Sequence, residues 1–81
     1  MSNMNYNNEG VVGKIDPTDG TTIYVGYPAP GTTSEASANW AIKRITIDAV
    51  SGIVTEQWVN GSSICSYKWC NRSSYTYSFL K

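Results

Sequence analysis

A chain of 81 residues allows one domain with a small core, so help from staples, partners or copies of itself is expected. Its formal net charge of zero lacks the surplus of Lys and Arg that a general nucleic-acid binder carries. With no histidine it cannot assemble a Ser–His–acid or Cys–His centre, and no stretch approaches the roughly 20 apolar residues of a membrane span.

Met1 to about Gly13 is rich in asparagine and, Tyr6 apart, nearly devoid of large apolar groups. Too little can be buried there to order the chain, so residues 1–20 read as a flexible N-terminal arm and turn ahead of a single β domain at 21–81. The start MSNMNYNNEG has neither the basic opening nor the apolar run of a secretory signal, which points to synthesis in a reducing cytoplasm. Asp16-Pro17-Thr18-Asp19-Gly20 spells a turn, because proline presets φ, aspartate bonds nearby backbone and glycine accepts positive φ.

Thr21–Tyr27 reads as a first strand, with Ile23 and Val25 on one face and Tyr24 on the other. Gly26 leaves a gap on the tyrosine face where another group can come close. Pro28–Ala38 is the clearest loop, made of prolines, Gly31 and small polar residues that could lie flat against a neighbour. Asn39–Asp48 is the strongest strand, but its alternation is broken: Trp40 and Ile42 share one face while Ile45 and Ile47 share the other. Either both faces are covered or a bulge re-aims the second half; Lys43 and Arg44 favour the bulge or a strong twist, since full burial would be costly for them.

Ser51-Gly52 and Asn60-Gly61 read as turns, the latter the best type I′ signal in the chain. Between and after them, Ile53–Val59, Ser63–Cys70 and Tyr75–Leu80 alternate as strands. No segment has a helical apolar stripe. The expected fold is all-β: a small antiparallel barrel or sandwich of about five strands, near 22–27, 40–48, 53–59, 63–70 and 74–80, with an extended N-terminal arm. Trp40, Trp58 and Trp69 are expected to furnish much of the core, at least two of them mostly buried.

Charge divides unevenly along the chain. Residues 1–39 set Glu9, Asp16, Asp19 and Glu35 against Lys14, whereas 40–81 set Lys43, Arg44, Lys68, Arg72 and Lys81 against Asp48 and Glu56. Cys65 and Cys70 are expected to be reduced, half-buried and unbonded to each other, on opposite faces of one strand. Asp16 and Asp19 form a turn pair rather than a calcium loop, because the remaining oxygen ligands are missing. No cofactor or metal is expected. Trp40 with Arg44, and Trp69 with Arg72, place a cation close to an indole, read here as internal contacts rather than a ligand platform. Tyr75 and Tyr77 beside Trp69 serve equally as a strand of the core or as a sugar-binding face.

Four pieces recur in a telling order: Gly26-Tyr27-Pro28-Ala29-Pro30-Gly31-Thr32, Trp40-Ala41-Ile42-Lys43-Arg44-Ile45, Trp58-Val59-Asn60-Gly61, and Trp69-Cys70-Asn71-Arg72-Ser73-Ser74-Tyr75-Thr76-Tyr77. In that order they resemble a type of small protein encoded among the head and tail genes of tailed bacteriophages. Relatives often carry an aspartate before the W-x-x-G glycine and acids before the closing arginine, where this chain has Asn60, Cys70 and Asn71; binding provided by those acids is not implied here. The resemblance implies a virion structural protein, not an enzyme, made in the host bacterial cytoplasm and located in the virion. It would act through protein–protein contacts with capsid, portal or tail subunits, in multiple copies or as a homo-oligomer, without nucleic-acid or membrane partners. A capsid decoration or head-associated position comes first and a tail accessory role next; the alternative is a glycan-binding, host-surface module. Candidate partner contacts are Tyr6 in the arm, Pro28 and Pro30 in the loop, and the cations Lys43, Arg44 and Arg72.

Overall fold

A computed structural model describes residues 13–81. Five strands, β1 (Lys14–Asp16), β2 (Thr22–Pro28), β3 (Trp40–Ile47), β4 (Val54–Val59) and β5 (Tyr77–Ser78), form one antiparallel sheet in chain order. The all-β expectation therefore holds. β1 and β5 stand at opposite edges and do not pair, so the sheet is open and no barrel forms. β1 lies within the stretch assigned to the arm, and residues 1–12 are outside the described residues.

Local chemistry sets the turns. The Asp19 carboxylate accepts hydrogen bonds from the backbone of Thr21 at 3.0 Å and Thr22 at 2.9 Å, which ties the chain round into β2. Asn60 at φ 52° and Gly61 at φ 68° adopt the paired positive φ of a type I′ turn, closed by the Ser62 amide donating to Val59 O at 3.0 Å. After β3, the Asp48 side chain accepts from the Val50 and Ser51 amides, and Gly52 takes φ 77°.

Two strand expectations fail after Asn60. Ser63–Cys70 forms no strand, its one ladder-type pairing with the sheet being the bridge between Tyr67 and Trp40, and Trp69–Ser74 is a 3-10 helix. The ladder partner of β4 is β5, and only Tyr77–Ser78 of the expected 74–80 strand joins it. Alternation had placed Trp69 in a ladder; burial of its indole wins instead. The 3-10 helix swings that ring over Gly26 and stacks it on Trp40, ring centroids 5.6 Å apart.

The expected bulge in β3 is also absent. Its register with β2 runs unbroken from Thr22–Thr46 to Pro28–Trp40. Strict alternation therefore sends Trp40, Ile42, Arg44 and Thr46 to one face, here called inner, and Ala41, Lys43, Ile45 and Ile47 to the outer one. The core is built on the inner face from Trp40, Ile42, Val59, Trp69 and Tyr77, with Tyr24, Tyr67 and Tyr75 packed around it. The 29–39 loop closes over this core: Ser34 O accepts the Trp40 indole N–H at 3.1 Å, and Glu35 O accepts the Cys70 amide at 3.1 Å.

Candidate functional site

The outer face has a different make-up. Across the strands, Ile15 of β1 sits beside Val25 of β2, which sits beside Lys43 of β3 and then Trp58 of β4. The next row brings Ile23, Ile45 and Glu56 together, and the one after it Ile47 and Val54. Branched aliphatics from four strands thus form one contiguous patch. Ile15 is 71% exposed and Val54 56%, while Ile23, Val25, Ile45 and Ile47 are half-buried by one another rather than by a covering layer. An open cleft of about 230 Å³ beside β1 is lined by Ile15, Val25 and Tyr27.

Lys43 and Glu56 are the charged residues of these outer-face rows, and they pair at 3.2 Å. The Lys43 ammonium also stands 5.7 Å from the Tyr27 ring centroid and 5.6 Å from that of Trp58, the two rings being 6.0 Å apart. Burial works against the charge of Lys43, but hydrogen bonding to Tyr27 and then to Glu56 outweighs it, so its pKa lies above the usual lysine value. The ammonium is therefore a fixed cation wedged between two half-exposed rings.

The other candidate contacts are dispersed. Arg44, the neighbour of Lys43 in sequence, points to the inner face; its guanidinium lies 4.9 Å from the Tyr77 ring centroid and donates to Gln57 Oε1 at 2.9 Å. Its partner ring is thus Tyr77, not Trp40, because Trp40 sits four positions back and is covered by Trp69. Its Nε is buried without a hydrogen-bond partner. Arg72 does lie over Trp69, at 4.5 Å, and its Nε donates to Asp16 at 2.9 Å, so it clamps β1 to the 3-10 helix. That ion pair joins the acidic first half of the chain to the basic second half. Pro28 ends β2 opposite Trp40 and is half-buried, Pro30 is exposed in the turn that follows, and Tyr6 falls outside the described residues. These residues do not converge on one site.

Nor do the rings considered for a sugar-binding face. Trp69 is 3% exposed and Tyr77 7%, both committed to the core, and Tyr77 donates its hydroxyl hydrogen to Arg72 O at 2.6 Å. Cys65 and Cys70 are both free and exposed rather than half-buried, because neither lies on a strand that could shelter it. Among the described residues, no group of three or more His, Cys, Asp or Glu is placed to hold a metal ion, and no helix is long and apolar enough to cross a membrane. Sequence reasoning missed the outer patch as a unit, although its pieces were visible as Ile23 with Val25 and Ile45 with Ile47. No protein-family model, curated protein or solved structure matches the chain.

Proposed function

We propose that this protein is a structural component of a tailed-bacteriophage virion that works through protein–protein contacts, as a capsid decoration or head-associated protein, with a tail accessory role next in order. The observation that supports this reading best is the outer face of the sheet. It offers a contiguous aliphatic surface, the kind that marks association between proteins. Most of the large rings, Trp40, Trp69 and Tyr77 among them, are spent on the inner core rather than displayed.

Electron microscopy of intact particles tests the proposal directly. The expected result is density for this chain at symmetry-related positions, in multiple copies, against capsid or tail subunits. Finding the chain in infected cells but never on purified particles would overturn it. The glycan-binding alternative keeps one observation in its favour: Tyr27 is 43% exposed and stands beside the half-exposed Trp58, with Lys43 between them. Binding of host-surface glycans that is lost in Trp58→Ala, by a protein absent from the symmetric shell, would favour that alternative.

A further inference from the structure

We infer that the outer face of the sheet is the contact surface between two copies of this chain, packed sheet on sheet. The inference stands on the sheet itself and does not depend on where the assembly is located. A sheet needs a partner layer for each apolar face. Here the 3-10 helix and the 29–39 loop supply one for the inner face, while Ile15, Ile23, Val25, Ile45, Ile47 and Val54 have none among the described residues.

Charge narrows the choice of occupant. The patch holds one Lys and one Glu, already paired with each other, so its net charge is zero. A strongly charged partner gains nothing from such a face. A second copy meets it without like-charge repulsion, and a twofold contact uses the same patch on both sides. The chain's own residues 1–12 are the competing occupant, but they offer only Met1, Met4, Tyr6, Val11 and Val12, spaced by asparagines and other small or polar residues. That composition is a poor match for a flat aliphatic surface.

Area sets the strength. The four strands are three, seven, eight and six residues long; at ~3.3 Å per residue and ~4.8 Å between strands they give a face of about 380 Å² per copy, or about 760 Å² for the pair. That lies below the ~1,000 Å² expected of a specific stable interface and in the range of a weak contact. The contact is therefore one that forms in a concentration-dependent way and is completed where copies are held close together. Aligned packing of two such faces would build a two-layer core between subunits, in the manner of a β-sandwich.

Sedimentation equilibrium of the full chain, from low-micromolar to millimolar concentration, tests this. The wild-type protein should move from monomer towards dimer. The double variant Ile15→Lys, Val54→Lys, which alters the two most exposed aliphatics of the patch, should remain monomeric throughout with an unchanged circular dichroism spectrum. A gentler pair, Val25→Thr with Ile45→Thr, keeps β-branching and should weaken the dimer if the lysine variant fails to fold. Thr46→Lys, on the inner face, should dimerise as wild type does. A wild-type chain monomeric at every concentration overturns the inference, and so does a dimer indifferent to the outer-face substitutions. If the wild type stays monomeric but the chain lacking residues 1–12 dimerises, the face belongs to its own N-terminal segment and the inference also fails.

Discussion

The two faces of one sheet have been used in different ways. On the inner face, β3 contributes Trp40 and Ile42, both without exposed surface, and the chain spends its 3-10 helix and longest loop on covering them. On the outer face the same strand contributes Ile45 and Ile47, and nothing among the described residues covers them. β3 places isoleucines on both sides, so an apolar strand position alone does not decide which face becomes core. The difference lies in the rings. Two stacked indoles need a gap in the sheet to settle into, and Gly26 provides it only on the inner face. Short aliphatics on a flat pleat are better suited to meeting another flat sheet.

Substitutions on the two faces should therefore separate in size. Trp40→Ala or Trp69→Ala should cost about 3–5 kcal/mol in urea unfolding of dilute protein, as deletion of core aromatics does. Ile15→Ser, at an equally apolar but exposed position, should stay within ~0.5 kcal/mol under the same conditions. Equal costs on the two faces would erase the distinction.

Next in size is Gly26→Ala. A Cβ on Gly26 would collide with the Trp69 ring and press on Trp40 at 3.0 Å, so overpacking of about 1–3 kcal/mol is expected. Loss of near-ultraviolet tryptophan ellipticity should accompany it; a neutral substitution would show that the indoles can slide away. Smaller again is Arg72→Ala, which removes the partly exposed pair with Asp16 and the contact over Trp69. About 1 kcal/mol is expected, and a double-mutant cycle with Asp16→Asn should isolate the coupling between β1 and the 3-10 helix.

The titration of Tyr77 comes last and bears on stability only in alkali. Burial raises the Tyr77 hydroxyl pKa far above its ordinary value, with neighbouring Tyr24 adding to the rise and Arg44 opposing it. The folded state then holds this proton where the unfolded chain, titrating near ~10, releases it. Stability should be unaffected below that pH and fall as pH climbs above it, and Tyr77→Phe should flatten the fall. At the acid end, backbone hydrogen bonds from Thr21 to Asp19 and from Ser51 to Asp48 lower both carboxyl pKa values, so these turns should loosen as pH drops below the usual carboxylate range.

How far the chain could be read in advance follows the range of the forces involved. Turns were legible because their chemistry is local: Asp19-Gly20, Ser51-Gly52 and Asn60-Gly61 each sit where their side chains and positive φ require. Strands β2, β3 and β4 followed from branched and aromatic runs, and the gap at Gly26 from a missing side chain. Ser63–Cys70 was misread because its alternation is real, yet burying Trp69 over Gly26 outweighs the local pattern. β1 was missed because three residues carry almost no pattern and gain their place from pairing with β2. The broken alternation of β3 was the most informative signal; the bulge favoured as one cause is absent, and the unbroken strand carries apolar residues on both faces. Of the cations singled out for partners, Lys43 alone lies on the outer face, because adjacent residues on a strand point to opposite sides.

The claim that the inner face holds the fold and the outer face holds copies together is tested most directly by thermal unfolding of the wild-type chain across a wide range of protein concentration. Association of folded chains stabilises them by mass action. The midpoint should therefore rise with concentration for the wild type and stay at its dilute value for Ile15→Lys, Val54→Lys. A wild-type midpoint that does not move with concentration would contradict the account.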